Sequence, residues 1–77
     1  MAKYKNADSV TPKDDEDLNV APVKALYIGT GGDLTVELDK KDGEITFSNV
    51  QDGEILKLEV TRVHDTDTTA DNIIALY

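Results

Sequence analysis

Hydrophobic and polar positions alternate most clearly in residues 23–38, where two apolar-rich runs flank a stretch with several glycines, residues 29–33. In the second run, Leu34, Val36 and Leu38 alternate with polar residues, which is the period of a strand with one solvated face. The first run is apolar at both parities, as in a central or interface strand. Glycine accommodates backbone turns that a Cβ would obstruct. The pattern therefore predicts a β-hairpin whose loop is residues 29–33.

The middle of the chain continues with the same period of two. Residues 44–50 and 54–63 predict two further strands, each preceded by a turn that ends in Asp-Gly, a strong hairpin signal. The apolar parity of the second strand slips near Arg62, which predicts a bulge or a change of pairing partner.

The last segment, residues 72–77, is almost wholly apolar and follows a polar loop at residues 64–72. Such a strand is typically buried on both faces or covered by a partner. No segment has the apolar spacing of a useful helix. The sequence therefore predicts an all-β fold, a small antiparallel β-sandwich or barrel of about five to seven short strands with an extended N-terminal arm.

Residues 1–21 differ from the rest of the chain because they are polar and show no alternation. The acidic run at residues 14–17 suits a helix N-terminus, but no apolar helical face follows it, so no helix is predicted. We interpret residues 1–21 as an extended arm and residues 22–77 as a single β domain. The arm is either a loose tail or a segment that lies across a neighbouring subunit.

Size and charge narrow the range of partners. The chain has 77 residues, no cysteine and one histidine, so disulfides and thiolate or histidine metal clusters are not expected to stabilise it. Association into a homo-oligomer is the remaining route to a larger core. The net charge of −8 argues against nucleic acid and anionic membranes as direct partners. The N-terminal segment has no apolar core of a signal peptide, and no run is long enough to span a membrane.

Candidate catalytic and binding motifs fail on inspection. The glycines of residues 29–33 precede a strand rather than a helix, so no helix N-terminus is available for a phosphate. Asp65, Asp67 and Asp71 resemble part of a calcium loop, but the glycine and glutamate that an EF-hand requires are missing, and a looser ion site remains the alternative. His64 has no recognisable nucleophile partner and is interpreted as structural. We predict no enzyme activity, no catalytic residue, no metal ligand and no cofactor.

Four segments carry a family resemblance: VTPKDDEDL at residues 10–18, ALYIGTGGDLTV at 25–36, ITFSNVQDGEILKLEVTRV at 45–63 and DTTADNIIALY at 67–77. In these segments the chain resembles the small spike base proteins of tailed phages and of phage-derived gene transfer agents. ALYIGTGGDL and TTADNIIALY are the more specific pieces. The loop near residues 65–68 departs from the family by being rich in acids, which leaves the partner of that loop open.

The resemblance implies a structural virion protein on the capsid exterior that anchors a projecting spike or fibre, with the fivefold vertices as the expected position. The implied partners are the major capsid protein, a spike or fibre protein and further copies of the chain, with a pentamer favoured and a trimer as the alternative. A trimeric capsid decoration (cement) protein is the second hypothesis, and a small carbohydrate- or calcium-binding β module is the third. The residues predicted to contact partners are Val10, Leu18, Val20, Tyr27, Ile73 and Tyr77.

Overall fold

The alternating segments form strands throughout the part of the chain that the structure describes. The structure is a computed structural model and describes residues 4–19, 23–38 and 43–77. The strands, in chain order, are β1 Ala7–Ser9, β2 Ala25–Thr30, β3 Gly32–Leu38, β4 Glu44–Val50, β5 Glu54–Leu56, β6 Val60–Val63 and β7 Asp71–Leu76. No helix in these residues is long and apolar enough to cross a membrane.

The strands pair into two antiparallel sheets that enclose one core. The four-stranded sheet has the order β1-β7-β2-β5, and the three-stranded sheet has the order β4-β3-β6. The two sheets contribute fully buried side chains to the same cluster, with Leu26 and Ile28 on β2 and Leu34 and Val36 on β3. This arrangement confirms the predicted all-β sandwich, since one face of each sheet is removed from water.

The predicted hairpin at residues 23–38 is wrong, because β2 and β3 belong to different sheets. The chain crosses from one sheet to the other at Gly31, whose backbone N–H donates to Asp52 Oδ1 over 2.6 Å. A Cβ on Gly31 would overlap the Val50 carbonyl oxygen, so glycine is required here by close approach of a second backbone. The turn after β4 crosses between the sheets beside it, and Gly53 N–H donates to the Ile28 carbonyl over 2.6 Å.

The single strand predicted for residues 54–63 is in fact two strands in different sheets, β5 and β6. The chain crosses the end of the core at residues 57–59, where Leu58 packs against the core between Leu56 and Val60. Alternation continues through the crossing because all three side chains point at one core, which is why the pattern looked like one strand. The irregularity predicted near Arg62 is present, since the β3–β6 register shifts between Glu37 and Leu38.

The arm, as far as residues 4–19 show it, is held by its own chain. Strand β1 pairs with β7, and Val10 N–H then donates to the Ile73 carbonyl over 2.9 Å. Further along, Lys13 N–H donates to the Val63 carbonyl and Leu18 N–H to the Thr61 carbonyl. The arm thus covers the β7 edge of one sheet and the β6 edge of the other.

Candidate functional site

The outer surface of the four-stranded sheet carries an apolar row across its strands. Ile55, Tyr27 and Ile74 are direct cross-strand partners on β5, β2 and β7, so their side chains share one face of the sheet. Tyr27 is 38% exposed and Ile55 is 45% exposed, so this face looks outward. The row ends at Ser9 of β1.

A second row runs beside the first, because Leu76 pairs with Ala7 on one side and with Ala25 on the other. Neither row contains a charged side chain, although the chain has 16 acidic residues. We call these two rows the apolar face. Its accessible residues are Ala7, Ser9, Tyr27, Ile55, Ile74 and Leu76, whereas Ala25 is fully buried.

The outer surface of the three-stranded sheet is polar, and the loop after β6 covers part of it. Thr35 is fully buried there, with its Oγ1 2.8 Å from Thr46 Oγ1 and 3.0 Å from the Asp67 carbonyl. Thr68 Oγ1 accepts from Thr35 N–H, and Thr69 Oγ1 accepts from Asp33 N–H. The threonines of the loop are therefore used to seat it on β3.

A cluster of ionisable side chains lies beside this loop and attaches the arm to the sheet. His64 is buried, with Nε2 2.7 Å from Glu37 Oε2 and Nδ1 3.5 Å from Asp14 Oδ1. Arg62 Nε donates to Asp17 Oδ1 over 2.9 Å, and its Nη1 lies 3.4 Å from Glu37 Oε2. Both nitrogens of the imidazole thus face carboxylates, and two residues of β6 and its continuation hold two acids of the arm.

The contacts of this cluster join the arm to β3 and β6. Within residues 4–19, 23–38 and 43–77, no group of histidine and acidic side chains is arranged to hold a metal ion. Asp67 has φ 66° and gives its carbonyl to Thr35, so this part of the suspected ion loop follows a turn that the fold itself explains. The chemistry supported by these contacts is the attachment of the arm and loop to the sheet.

Asp14 is the arm residue with the most contacts to this loop. Its Oδ1 accepts from the N–H groups of Asp65 and Thr66 over 2.8 and 2.9 Å, and its Oδ2 accepts from Thr66 Oγ1 over 2.6 Å. The Thr66 hydroxyl and the two backbone N–H groups, together with His64, lower the pKa of Asp14 below 3.8 because they favour its charged form.

The lowered pKa gives a prediction with a defined sign. A carboxyl whose pKa is lower in the folded state stabilises that state above its unfolded pKa and loses the effect as pH falls through the folded value. We expect Asp14→Ala to lower the melting temperature at pH 7, and the difference from the parent protein to shrink as the pH falls below 3.8. The neighbouring Asp15→Ala, which removes an exposed acid, is the control and is expected to have little effect at either pH. Equal effects of the two substitutions would contradict the role of Asp14.

The residues predicted to contact partners have different positions. Tyr27 lies on the apolar face, whereas Ile73 is 2% exposed in the core of its own chain and has little surface for a neighbour. Val10 and Leu18 pack against the same core, so the apolar side chains of the arm face inward. The Tyr77 hydroxyl donates to Asp8 Oδ2 over 2.6 Å, which raises the pKa of Tyr77. Val20 lies outside the described residues.

Sequence reasoning missed Ile55 and Ile74 as surface residues. The available signal was parity: Ile55 lies opposite in parity to Leu56, and Ile74 opposite to Ile73. Only the strand pairing shows that the two isoleucines flank Tyr27 on one face.

Comparison with known proteins gives one informative likeness. No protein-family model and no curated protein matches the chain. The chain is similar to a chain in the solved capsid of a native gene transfer agent (GTA) particle, computed with C5 symmetry. The two are 30% identical in sequence and superpose with a TM-score of 0.85. The likeness covers 99% of this chain and 86% of the other, so it extends over the arm as well as both sheets.

Proposed function

Because this chain belongs to the same family as a component of a GTA capsid, we propose that it is a capsid-attached base protein that anchors a head spike or fibre. It works by binding, as a structural component on the exterior of the virion. Its partners are the major capsid protein on one side, a spike or fibre protein on the other, and further copies of itself.

The observation that carries this proposal is the likeness to a capsid component over nearly the whole chain, at a TM-score of 0.85. A match of this extent means that the two proteins share a whole domain and not only a short motif. Fold alone does not fix function, but here the sequence likeness accompanies it. A structural, capsid-associated role is the function that both share.

The use of the polar side chains supports binding rather than catalysis. Arg62 and His64 hold the arm through Asp17 and Asp14, and Thr35 holds the loop after β6. A catalytic site needs a nucleophile or base poised toward a substrate cleft, whereas these groups face one another. The apolar face is the part of the described surface that has the composition of a binding site.

We place the protein at the fivefold vertices as a pentamer. The related capsid was computed with C5 symmetry, and a ring of identical subunits suits a small domain with an uncharged face. A trimeric decoration protein at threefold positions is the second candidate, because a likeness to a capsid component fits a decoration protein as well.

Imaging the parent particle tests this proposal. A gold or antibody label on this chain is expected at the fivefold vertices, outside the shell, in averaged electron micrographs of purified particles. A label at threefold positions would favour the decoration protein. A particle that purifies without this chain would contradict any capsid role.

A further inference from the structure

We propose that copies of this chain associate head to tail, with the apolar face of one copy seated against the β4 edge of the next. This inference rests on the proposed function, since it names the surfaces that would close the ring. The occupant of the apolar face is then a second copy of this chain.

The apolar face has the composition of an interface core. Cores of protein interfaces are depleted of charged residues and enriched in aromatic residues such as tyrosine. Tyr27 lies at the centre of the face between Ile55 and Ile74. These three side chains form a contiguous row, and Tyr27 and Ile55, the exposed large hydrophobic residues of the described part of the chain, both belong to it.

The complementary surface is the free edge of β4. Strand β4 has seven residues and, within the described residues, pairs with β3 alone. An open strand edge presents backbone N–H and C=O groups with which another chain can pair. Ile45 and Phe47 lie half-buried along this strand and offer apolar surface beside the edge.

Charge favours this pairing of surfaces. Lys24 precedes β2 and Lys57 follows β5, so both lie at the same end of the four-stranded sheet, and neither forms an ion pair with the described residues. Glu44 begins β4, and its side chain is 53% exposed although Oε1 lies 3.9 Å from His64 Nε2 of the same chain. Copies that each carry a charge of −8 repel one another unless they meet where acids are absent, and the apolar face is such a place.

Lys24 and Glu44 also lie at the same end of the sandwich, measured along the strand direction. The chain crosses at Gly31 from the end of β2 to the start of β3, so the start of β2 and the end of β3 share the opposite end of the sandwich. Lys24 lies at the start of β2, and Glu44 pairs with Glu37 near the end of β3. Rotation about an axis parallel to the strands keeps these ends level, so the lysines of one copy meet Glu44 of the next.

The angle between the two surfaces fits a closed ring. The edge of a sandwich faces about 90° away from its outer face, and a ring of five copies needs about 108° between the two contact surfaces of each subunit, against about 60° for three. The sandwich geometry is therefore nearer to a ring of four or five copies than to a trimer.

Substitutions on the apolar face test whether this surface takes part in the contact between copies. We expect Ile55→Glu to weaken self-association of the purified chain at least about tenfold, because the carboxylate would be buried without a partner. Sedimentation velocity across a concentration series measures the association, and thermal melting followed by circular dichroism checks the fold. Thr11→Glu adds the same charge on the arm and is expected to leave association unchanged.

A charge exchange tests whether the β4 edge is the partner surface, and it leaves the core residues unchanged. Lys57→Glu and Glu44→Lys are each expected to weaken association, and the double variant to regain most of it, because the pair is restored with its signs reversed. Ile55→Glu that folds and associates normally would overturn the apolar face as a contact. A double variant no stronger than the single ones would overturn the β4 edge as its partner.

The same series separates this inference from the proposed function. A parent protein that stays monomeric at every concentration would overturn the contact between copies. If that monomer co-sediments with purified particles, the capsid role is still supported. If the purified chain does not co-sediment with particles, that result counts against the capsid role and not against the contact between copies.

Discussion

Gly31→Ala is expected to lower the free energy of unfolding by about 3 kcal/mol, the upper range for forcing extra atoms into a packed site. The added Cβ would overlap the Val50 carbonyl and lie 3.0 Å from Asp52 N, both of which are backbone atoms. Backbone atoms cannot rotate away as a side chain does. The two segments that cross between the sheets, at Gly31 and after Val50, must therefore move apart. The hydrogen bond from Gly31 N–H to Asp52 would weaken with them.

Thermal melting measures this effect, with an expected loss of about 12–24 °C for a domain of this size. Gly43→Ala is the matched control, since no atom lies within 4 Å of its added Cβ. Gly43 has φ +83°, so alanine there still costs about 1 kcal/mol through backbone strain alone. Gly31 does not have a positive φ, so its substitution tests close packing alone. If Gly31→Ala lowers the melting temperature no more than Gly43→Ala does, close packing between the two crossing segments does not explain the glycine at residue 31.

The strands were predictable from local pattern, but their assignment to sheets was not. Alternation reports which side chains point at a core, and a chain that crosses over the core keeps that alternation. Leu56, Leu58 and Val60 show this, since the pattern is unbroken while the strand is not. Likewise, the glycines of residues 29–33 predict a turn, but glycine is needed at residue 31 because the Val50 carbonyl lies against it. Val50 is distant in sequence, so the local pattern does not predict this contact.

The candidate binding surface was predictable only in part. Runs that are hydrophobic at both parities indicate strands covered on both faces, and Tyr27 and Ile73 lie in two such runs, so both are predicted to contact partners. The structure assigns these two residues to opposite faces, with Ile73 in the core and Tyr27 outside. Which parity faces inward depends on strand pairing, and pairing between β2, β5 and β7 joins segments that are far apart in sequence.

Removing residues 1–18 is expected to leave the domain largely unfolded or aggregated. Val10 and Leu18 pack on the core, and their loss together with the backbone hydrogen bonds to β7 and β6 removes on the order of 5 kcal/mol. Part of this is offset because the deleted residues no longer need to be ordered. A domain of 77 residues is stable by only about 4–11 kcal/mol, so even half of that loss is severe.

The truncated chain would also expose two strand edges that the arm now covers, those of β7 and β6. Exposed edges pair with other chains, so size-exclusion chromatography is expected to show aggregates in addition to a lower melting temperature.

Two neighbouring point substitutions provide the control for this deletion, because they leave the chain length unchanged. Val10→Asp places a charge against the core and is expected to destabilise strongly, whereas Thr11→Asp lies on the exposed side of the arm and is not. A truncated domain that melts cooperatively near the temperature of the intact protein would show that the arm is an attachment and not part of the fold. The backbone N–H of Val10 donates to the Ile73 carbonyl on one sheet, and that of Leu18 donates to the Thr61 carbonyl on the other. We therefore expect the truncated chain to lose its fold, because the N-terminal segment joins the two sheets of the sandwich.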